Sequence, residues 1–262
     1  MRDISLCTGP SREEHERGEI SYYSREERFY ISQAAALVRD LLRQLEKIIK
    51  PGVNELDIDI FCENYILLRN GDPFLKSSGL YEYSALISRN NKAYHGIPEN
   101  YVLREGDIVT VDIVLRKDGW YGDGAETYPV GNCPPEIMDI VRFSKEIVFD
   151  SVKILEQKQD LDVLGDFISE KSREIGLRVL QEGAGHGIGR ELHESPLVQY
   201  VTSGRSCPLK PGMVFTLEPV FTNCPYDIFY DELGTAMVRE GFVASQFEYT
   251  VAVQEEGLEI LV

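Results

Sequence analysis

Asp107-Ile108-Val109-Thr110-Val111-Asp112-Ile113-Val114-Leu115-Arg116-Lys117-Asp118-Gly119-Trp120-Tyr121-Gly122-Asp123-Gly124-Ala125-Glu126-Thr127-Tyr128 reads as a β-hairpin. Its first arm is rich in β-branched residues, Lys117-Asp118-Gly119 is a turn signal, and the chain then returns as far as Val130. A two-residue turn at Asp118-Gly119 sets position 114 opposite 123 and 112 opposite 125. Asp112 and Asp123 are then diagonal neighbours on one face, roughly 7–8 Å apart. Taken singly, a strand carboxylate more often faces solvent. Asp112, however, lies between Val111 and Ile113 in a strand apolar enough to be central to a sheet. An unpaired carboxylate is costly there, so a cation is its expected partner.

Working outward, Ile31–Lys50 has helical periodicity, with Leu37, Val38, Leu41, Leu42, Leu45, Ile48 and Ile49 on one face and Pro51-Gly52 as the stop. A second helix starts from the cap Asn54 and ends before Gly71. Tyr83–Ser88 is strand-like. Downstream of the hairpin, residues 135–155 and 161–176 read as helices, and 214–220, 235–238 and 247–253 as strands. There is no strict βαβ alternation and no GxGxxG fingerprint. The pattern predicts an α+β fold with an antiparallel sheet covered on one side by helices. Residues 1–30 form a polar N-terminal extension, residues 1–26 of it a solvated arm, and 31–262 the catalytic domain.

The 262 residues carry a formal charge of −17, which argues against a sequence-independent nucleic-acid binder and against a surface seeking anionic lipid. No apolar run reaches the length of a signal peptide or of a membrane span. The five cysteines (Cys7, Cys62, Cys133, Cys207, Cys224) are odd in number, scattered and free of CxxC pairs. They fit free thiols in a reducing cytoplasm rather than disulfides or a zinc ribbon.

Three further segments hold chemistry. Gly183-Ala184-Gly185-His186-Gly187-Ile188-Gly189-Arg190-Glu191-Leu192-His193-Glu194-Ser195-Pro196 surrounds His186 with glycines, which allow close backbone approach to a ligand. A phosphate-loop reading fails because no Gly-Lys-Ser/Thr follows. The chain has four histidines; two lie here, and His95 stands in another glycine-flanked loop, Tyr94-His95-Gly96-Ile97-Pro98. Glu218 and Glu248 each sit inside an apolar, strand-like run, where either alone is best read as an edge glutamate pointing outward. Together, two Asp, two Glu and one His are a set of mainly hard donors. They suit Mn, Fe, Co or Zn in a hydrolytic centre, and their number suggests two ions sharing carboxylates.

The ordered motifs Tyr-His-Gly-Ile-Pro (94–98), Val-Asp-Ile (111–113), Tyr-Gly-Asp (121–123), Gly-His-Gly-Ile-Gly-Arg (185–190), His-Glu-Ser-Pro (193–196), Phe-Thr-Leu-Glu-Pro (215–219) and Gln-Phe-Glu (246–248) resemble the type I methionine aminopeptidases. The resemblance covers about residues 31–262. It implies the pita-bread fold, a pseudo-two-fold α+β domain with a dinuclear centre, and removal of the initiator methionine from nascent proteins. By it, Asp112, Asp123, His186, Glu218 and Glu248 are the metal ligands, with Asp123 and Glu248 bridging two divalent ions (Co, Mn, Fe(II) or Zn). Asp112 would hold one ion, and His186 with Glu218 the other. Glu218 would also shuttle a proton, His193 would bond the developing oxyanion, and His95 would contact the amide beside the scissile bond. It further implies a cytoplasmic monomer that acts on nascent polypeptide N-termini, meets the ribosome transiently, and binds neither nucleic acid nor membrane.

The side-chain pocket departs from the family pattern: Leu75 and Leu86 stand at its cysteine positions, Tyr94 precedes His95 in place of cysteine, and Leu192 precedes His193 in place of phenylalanine. Val114 and Tyr249 also differ. Leucines still suit an apolar, linear side chain. Two other functions on the same scaffold are alternatives: an Xaa-Pro aminopeptidase or dipeptidase, and a non-hydrolytic binding protein. The first typically has an extra N-terminal domain and Arg-x-Glu-Asp around the last ligand, where this chain reads Gln246-Phe247-Glu248-Tyr249. The second loses ligands that this chain keeps.

Overall fold

The computed structural model describes residues 18–262. The first helix, α1 (Arg25–Ile48), begins earlier than the apolar periodicity suggests. Ser24 and Glu27 form a reciprocal capping box that satisfies two of the orphan N–H groups at its start. Tyr23 before it is buried, and Ile20 pairs with Ser195. Residues 20–30 are therefore built into the fold rather than into an extension. The rest of the expected arm, residues 1–17, lies outside the described residues.

Two more helices follow, α2 (Glu55–Leu67), capped by Asn54, and the short α3 (Phe74–Ser77). The strand expected at 83–88 is β1 (Leu86–Arg89), followed by β2 (Lys92–Tyr94). The hairpin is β3 (Ile108–Lys117) and β4 (Trp120–Pro129). Helices α4 (Pro135–Lys158) and α5 (Val163–Glu174) precede the C-terminal strands. These are β5 (Arg178–Val179), β6 (Ala184–Gly187), β7 (Glu194–Gln199), β8 (Val214–Leu217), β9 (Val220–Thr222), β10 (Phe229–Tyr230), β11 (Ala236–Met237), β12 (Ala244–Gln246), β13 (Tyr249–Val253) and β14 (Leu258–Ile260).

The antiparallel α+β pattern is present, but the strands are shared among four small sheets: β1-β3-β4, β10-β11-β2, β12-β9-β5 and β14-β13-β8-β6-β7. Two ribbons pass from one sheet to another. The chain leaves the five-stranded sheet after β8, crosses Glu218-Pro219 and joins the β12-β9-β5 sheet as β9. It leaves that sheet after β12, crosses Phe247-Glu248 and re-enters the five-stranded sheet as β13. Each glutamate thus occupies a gap between strands, not the interior of one as its apolar flanks suggest.

The apolar face of α1, with Ile31, Ala34, Val38, Leu41 and Leu45 buried, closes over β3 and β4. The approach is close: a Cβ on Gly122 would meet the Ala34 backbone at 2.7 Å. A branched residue at 122 would hold the helix off the strand that carries Asp123. Burying this stripe of five or so large side chains contributes of order 10 kcal/mol before ordering costs.

Candidate metal centre

The register of the hairpin places Asp112 opposite Ala125 and Val114 opposite Asp123. Both central residues of its turn have positive φ, 52° at Asp118 and 81° at Gly119, the two-residue pattern whose twist matches the strands. The two aspartates therefore share a face. Ala125 in turn pairs with Glu248, which donates its N–H to the Ala125 carbonyl at 2.8 Å. That bridge fastens the strand gap at Glu248 to the hairpin.

His186 lies on β6, a strand rather than the loop its glycines suggest. Its Nδ1 is 3.0 Å from the Gly187 carbonyl, which can only accept, so Nδ1 carries a proton and Nε2 faces the carboxylates. Nε2 lies 3.4 Å from Glu218 Oε1 and 3.7 Å from Asp123 Oδ2. The Thr216 hydroxyl accepts from the His186 N–H at 3.0 Å and donates to Glu218 Oε1 at 2.7 Å, fixing the two side chains relative to each other. The Tyr200 hydroxyl accepts from the Glu218 N–H at 2.6 Å, and Gln246 Nε2 donates to the Glu218 carbonyl at 3.3 Å. Asp123, His186 and Glu248 each present a donor atom, and those three atoms lie within 4.8 Å of one another.

The donors fit divalent metal. Asp112 Oδ1 and Asp123 Oδ1 are buried with no hydrogen-bond partner among the described residues. Burial pushes the Asp112 carboxyl up to about 7 and that of Glu218 up to about 8. Asp123 and Glu248 are raised by burial first and then by the negative charge of the other carboxylates. Four acids withdrawn from solvent into one site disfavour one another's ionised form, and cations supply the missing charge. No other group of three or more such donors occurs among the described residues.

All of these side chains line one cavity of about 570 Å³. Its walls include Leu75, Leu86, Tyr94, His95, Leu192 and His193. The His193 ring stands edge-on to that of His186 at 4.4 Å. His95 has φ 56°, rare for a side-chain-bearing residue, and burial holds its imidazole down to about 4, hence neutral. The Tyr94 hydroxyl meets the Tyr230 hydroxyl at 2.8 Å across the cavity wall.

Several lining residues escape a reading of the sequence. Tyr81, Glu182, Leu197, Tyr230 and Asp231 reach the cavity from segments without a motif. Thr216 had a usable signal, a lone hydroxyl in the apolar run Val214–Leu217 two residues before Glu218. Tyr200, buried beneath Glu218, had none.

An antiparallel scaffold that gathers four carboxylates and an imidazole in one cavity, two of their oxygens buried without a hydrogen-bond partner among the described residues, is that of a metalloenzyme. Comparison with known proteins narrows the class. The chain belongs to metallopeptidase family M24, whose pattern matches residues 30–255. It is 35% identical to the methionine aminopeptidase of Clostridium acetobutylicum over 235 residues, 88% of this chain and 94% of that one. The crystal structure of methionine aminopeptidase from Thermotoga maritima superposes with TM-score 0.88 at 31% identity, over 93% of this chain and 99% of that one. X-Pro aminopeptidase from Thermotoga maritima shares the fold alone, with TM-score 0.69 at 21% identity over 92% of this chain and 62% of that one. No helix among the described residues is long and apolar enough to cross a membrane.

Proposed function

We propose that the chain is a metal-dependent methionine aminopeptidase that removes the N-terminal methionine from nascent polypeptides. The observation that carries this reading is the meeting of Asp112, Asp123, Glu218, Glu248 and His186 in one apolar-walled cavity, with Asp112 Oδ1 and Asp123 Oδ1 buried and unpartnered among the described residues. Asp112, Asp123, His186, Glu218 and Glu248 would hold two divalent ions, Co, Mn, Fe(II) or Zn. Bound there, the ions would supply an acidified water as nucleophile and polarise the scissile carbonyl.

The chain's own residues do the rest. Glu218 Oε1, steered by Thr216, would hold the proton given up by the water and pass it to the leaving amine. His193, on the cavity wall, would donate a ring N–H to the developing oxyanion. His95, neutral at working pH, offers a ring nitrogen to the amide beside the scissile bond. Leu75, Leu86, Leu192 and Tyr94 form the walls for a long unbranched side chain. One methylene in such a pocket is worth about 1–3 kcal/mol of discrimination, so apolar leucines suit methionine without a polar anchor. The thiols Cys62, Cys133, Cys207 and Cys224 are free, which supports a reducing, cytoplasmic setting, with the chain acting as a monomer on N-termini near the ribosome.

The test is release of the first residue from Met-Ala-Ser, Leu-Ala-Ser and Ala-Pro-Ala by protein loaded with Mn, Co, Fe(II) or Zn, against Asp112→Asn. Cleavage of Met-Ala-Ser that the variant loses is the expected result. Cleavage of the proline peptide alone would transfer the chain to the Xaa-Pro branch. No cleavage of any peptide would overturn the aminopeptidase reading.

A further inference from the structure

His193 sits in the connection between β6 and β7, outside any strand, yet the proposed mechanism needs its ring held still. The hydrogen bonds that hold this connection come from a part of the chain far away in sequence. The Tyr23 hydroxyl lies 2.6 Å from Glu194 Oε1 and 2.7 Å from Oε2, so its one proton is shared by both oxygens of the carboxylate next to His193. The same hydroxyl accepts from the Arg190 N–H at 3.1 Å. Glu194 Oε1 also accepts the Glu191 N–H at 2.9 Å. One phenol and one carboxylate thereby tie down both ends of the segment 190–194.

The phenol is itself anchored. The Tyr23 N–H donates to the Gly212 carbonyl at 2.8 Å, and Gly212 donates to Val253 at 3.0 Å, at the end of β13. Arg28 Nη1 donates to the Tyr23 carbonyl at 2.7 Å. The Tyr23 ring packs edge-on against Trp120 at 5.4 Å, and the Arg190 guanidinium covers the other ring of that contact, 3.7 Å from the Trp120 centroid. The loop lies flush on the phenol: a Cβ on Gly189 would collide with the Tyr23 ring. Tyr23 is buried, and its hydroxyl is pushed up to about 12 by burial and by Glu194, so it remains a donor throughout the working pH range.

We infer that Tyr23 is a positioning residue for His193, acting through the Glu194 carboxylate to hold the 190–194 connection against the body of the fold. The inference rests on the role given to His193 above. It makes the segment before α1 part of the catalytic apparatus at one remove: Tyr23 touches neither substrate nor metal ligand, but its hydroxyl sets where the oxyanion donor stands.

The experiment uses full-length protein loaded with Mn and Met-Ala-Ser as substrate, comparing wild type, Tyr23→Phe, Glu194→Gln, His193→Ala and the double variant Y23F/H193A. Y23F should lower kcat about ten-fold and leave KM within about two-fold, the pattern of a lost transition-state contact. In the H193A background the same change should cost less than about two-fold, since a residue acting through His193 has nothing left to position. E194Q keeps one oxygen for the phenol and should fall between wild type and Y23F. A second readout needs no activity and uses Zn-loaded protein, since diamagnetic Zn leaves the imidazole signals near the centre visible. The chain has four histidines, so imidazole ¹H–¹⁵N signals are few, and the one missing in H193A identifies His193. That signal should shift or broaden in Y23F and in E194Q while the His95 signal stays. An equal loss of kcat in both backgrounds would overturn the inference, because it would mean general loosening. So would an unmoved His193 signal, and should Y23F not fold, E194Q decides the question by the same two readouts. If wild type releases no methionine, the functional reading fails, and the imidazole spectra still judge the coupling.

Discussion

The residues of the cavity are poor choices for a stable core, and that makes their roles separable by single substitutions. Asp123 is buried, its Oδ1 has no hydrogen-bond partner among the described residues, and its carboxyl is raised by burial and then by Asp112 and Glu218. Asp123→Asn keeps the shape and removes a charge that costs stability without metal. Melting in EDTA should show the variant more stable than wild type, and calorimetric titration with Mn should show tight binding lost. A buried carboxylate kept only for packing would give the opposite sign in the melt. His193→Ala should reduce kcat by about 10² to 10³-fold, the usual effect of deleting one oxyanion donor, with KM changed little. Steady-state kinetics on Met-Ala-Ser would check it. A rise in KM alone would make His193 a ground-state contact instead.

At the scale of elements, the hairpin β3–β4 sets the register on which the centre depends. Gly119 at φ 81° is in a region that β-branched side chains enter only under strain, so Gly119→Val should cost about 2 kcal/mol. Urea unfolding of the metal-free protein would measure the loss as a shift of midpoint at unchanged slope. The hairpin is also the element most readable from sequence. A run of β-branched residues and an Asp-Gly turn are local signals, so the pairing of 114 with 123 and 112 with 125 follows from them alone. Glu218 and Glu248 were visible as anomalies but not in their setting. A strand that changes sheets looks like one long apolar run, because both halves are buried, and the gap that frees the glutamate leaves no mark beyond Pro219. The start of α1 was legible in the capping pattern Ser24-x-x-Glu27, but the charged Arg25-Glu26-Glu27 beside it resembles a solvated arm. The glycines around His186 read as a loop. Here they let β6 approach its neighbours: a Cβ on Gly185 would meet the Thr216 carbonyl oxygen, and one on Gly187 that of Ser195.

For the molecule as a whole, the concentration of buried acids couples stability, pH and metal. In the unfolded chain the four carboxyls titrate at ordinary values near 4. In the folded, metal-free protein Asp112 is raised to about 7 and Glu218 to about 8, and Asp123 and Glu248 are raised as well. Between those limits the folded state binds more protons than the unfolded state, so unfolding free energy falls as pH rises. The contribution is fully present below the unfolded values and is lost as pH passes through 7 and 8. His95, held down to about 4, works in the opposite sense but only below its unfolded value of about 6.5, so measurements from pH 7 upward avoid it. Carboxyls lowered by hydrogen bonds, such as Glu27 and Asp160, lose their contribution only near pH 4 and below. Metal reverses the slope. Its ligands must shed protons to bind, so affinity grows with pH, and the stabilisation that follows from binding the folded state alone grows with it. Melts of EDTA-treated protein at pH 7, 8 and 9 should therefore show Tm falling, and melts with excess Mn should show it level or rising. The gap between the two curves should widen across this range. A metal-free Tm that rises with pH would mean that the four acids are already ionised and paired in the folded chain, and that the cavity is held open by something other than the charge a cation neutralises.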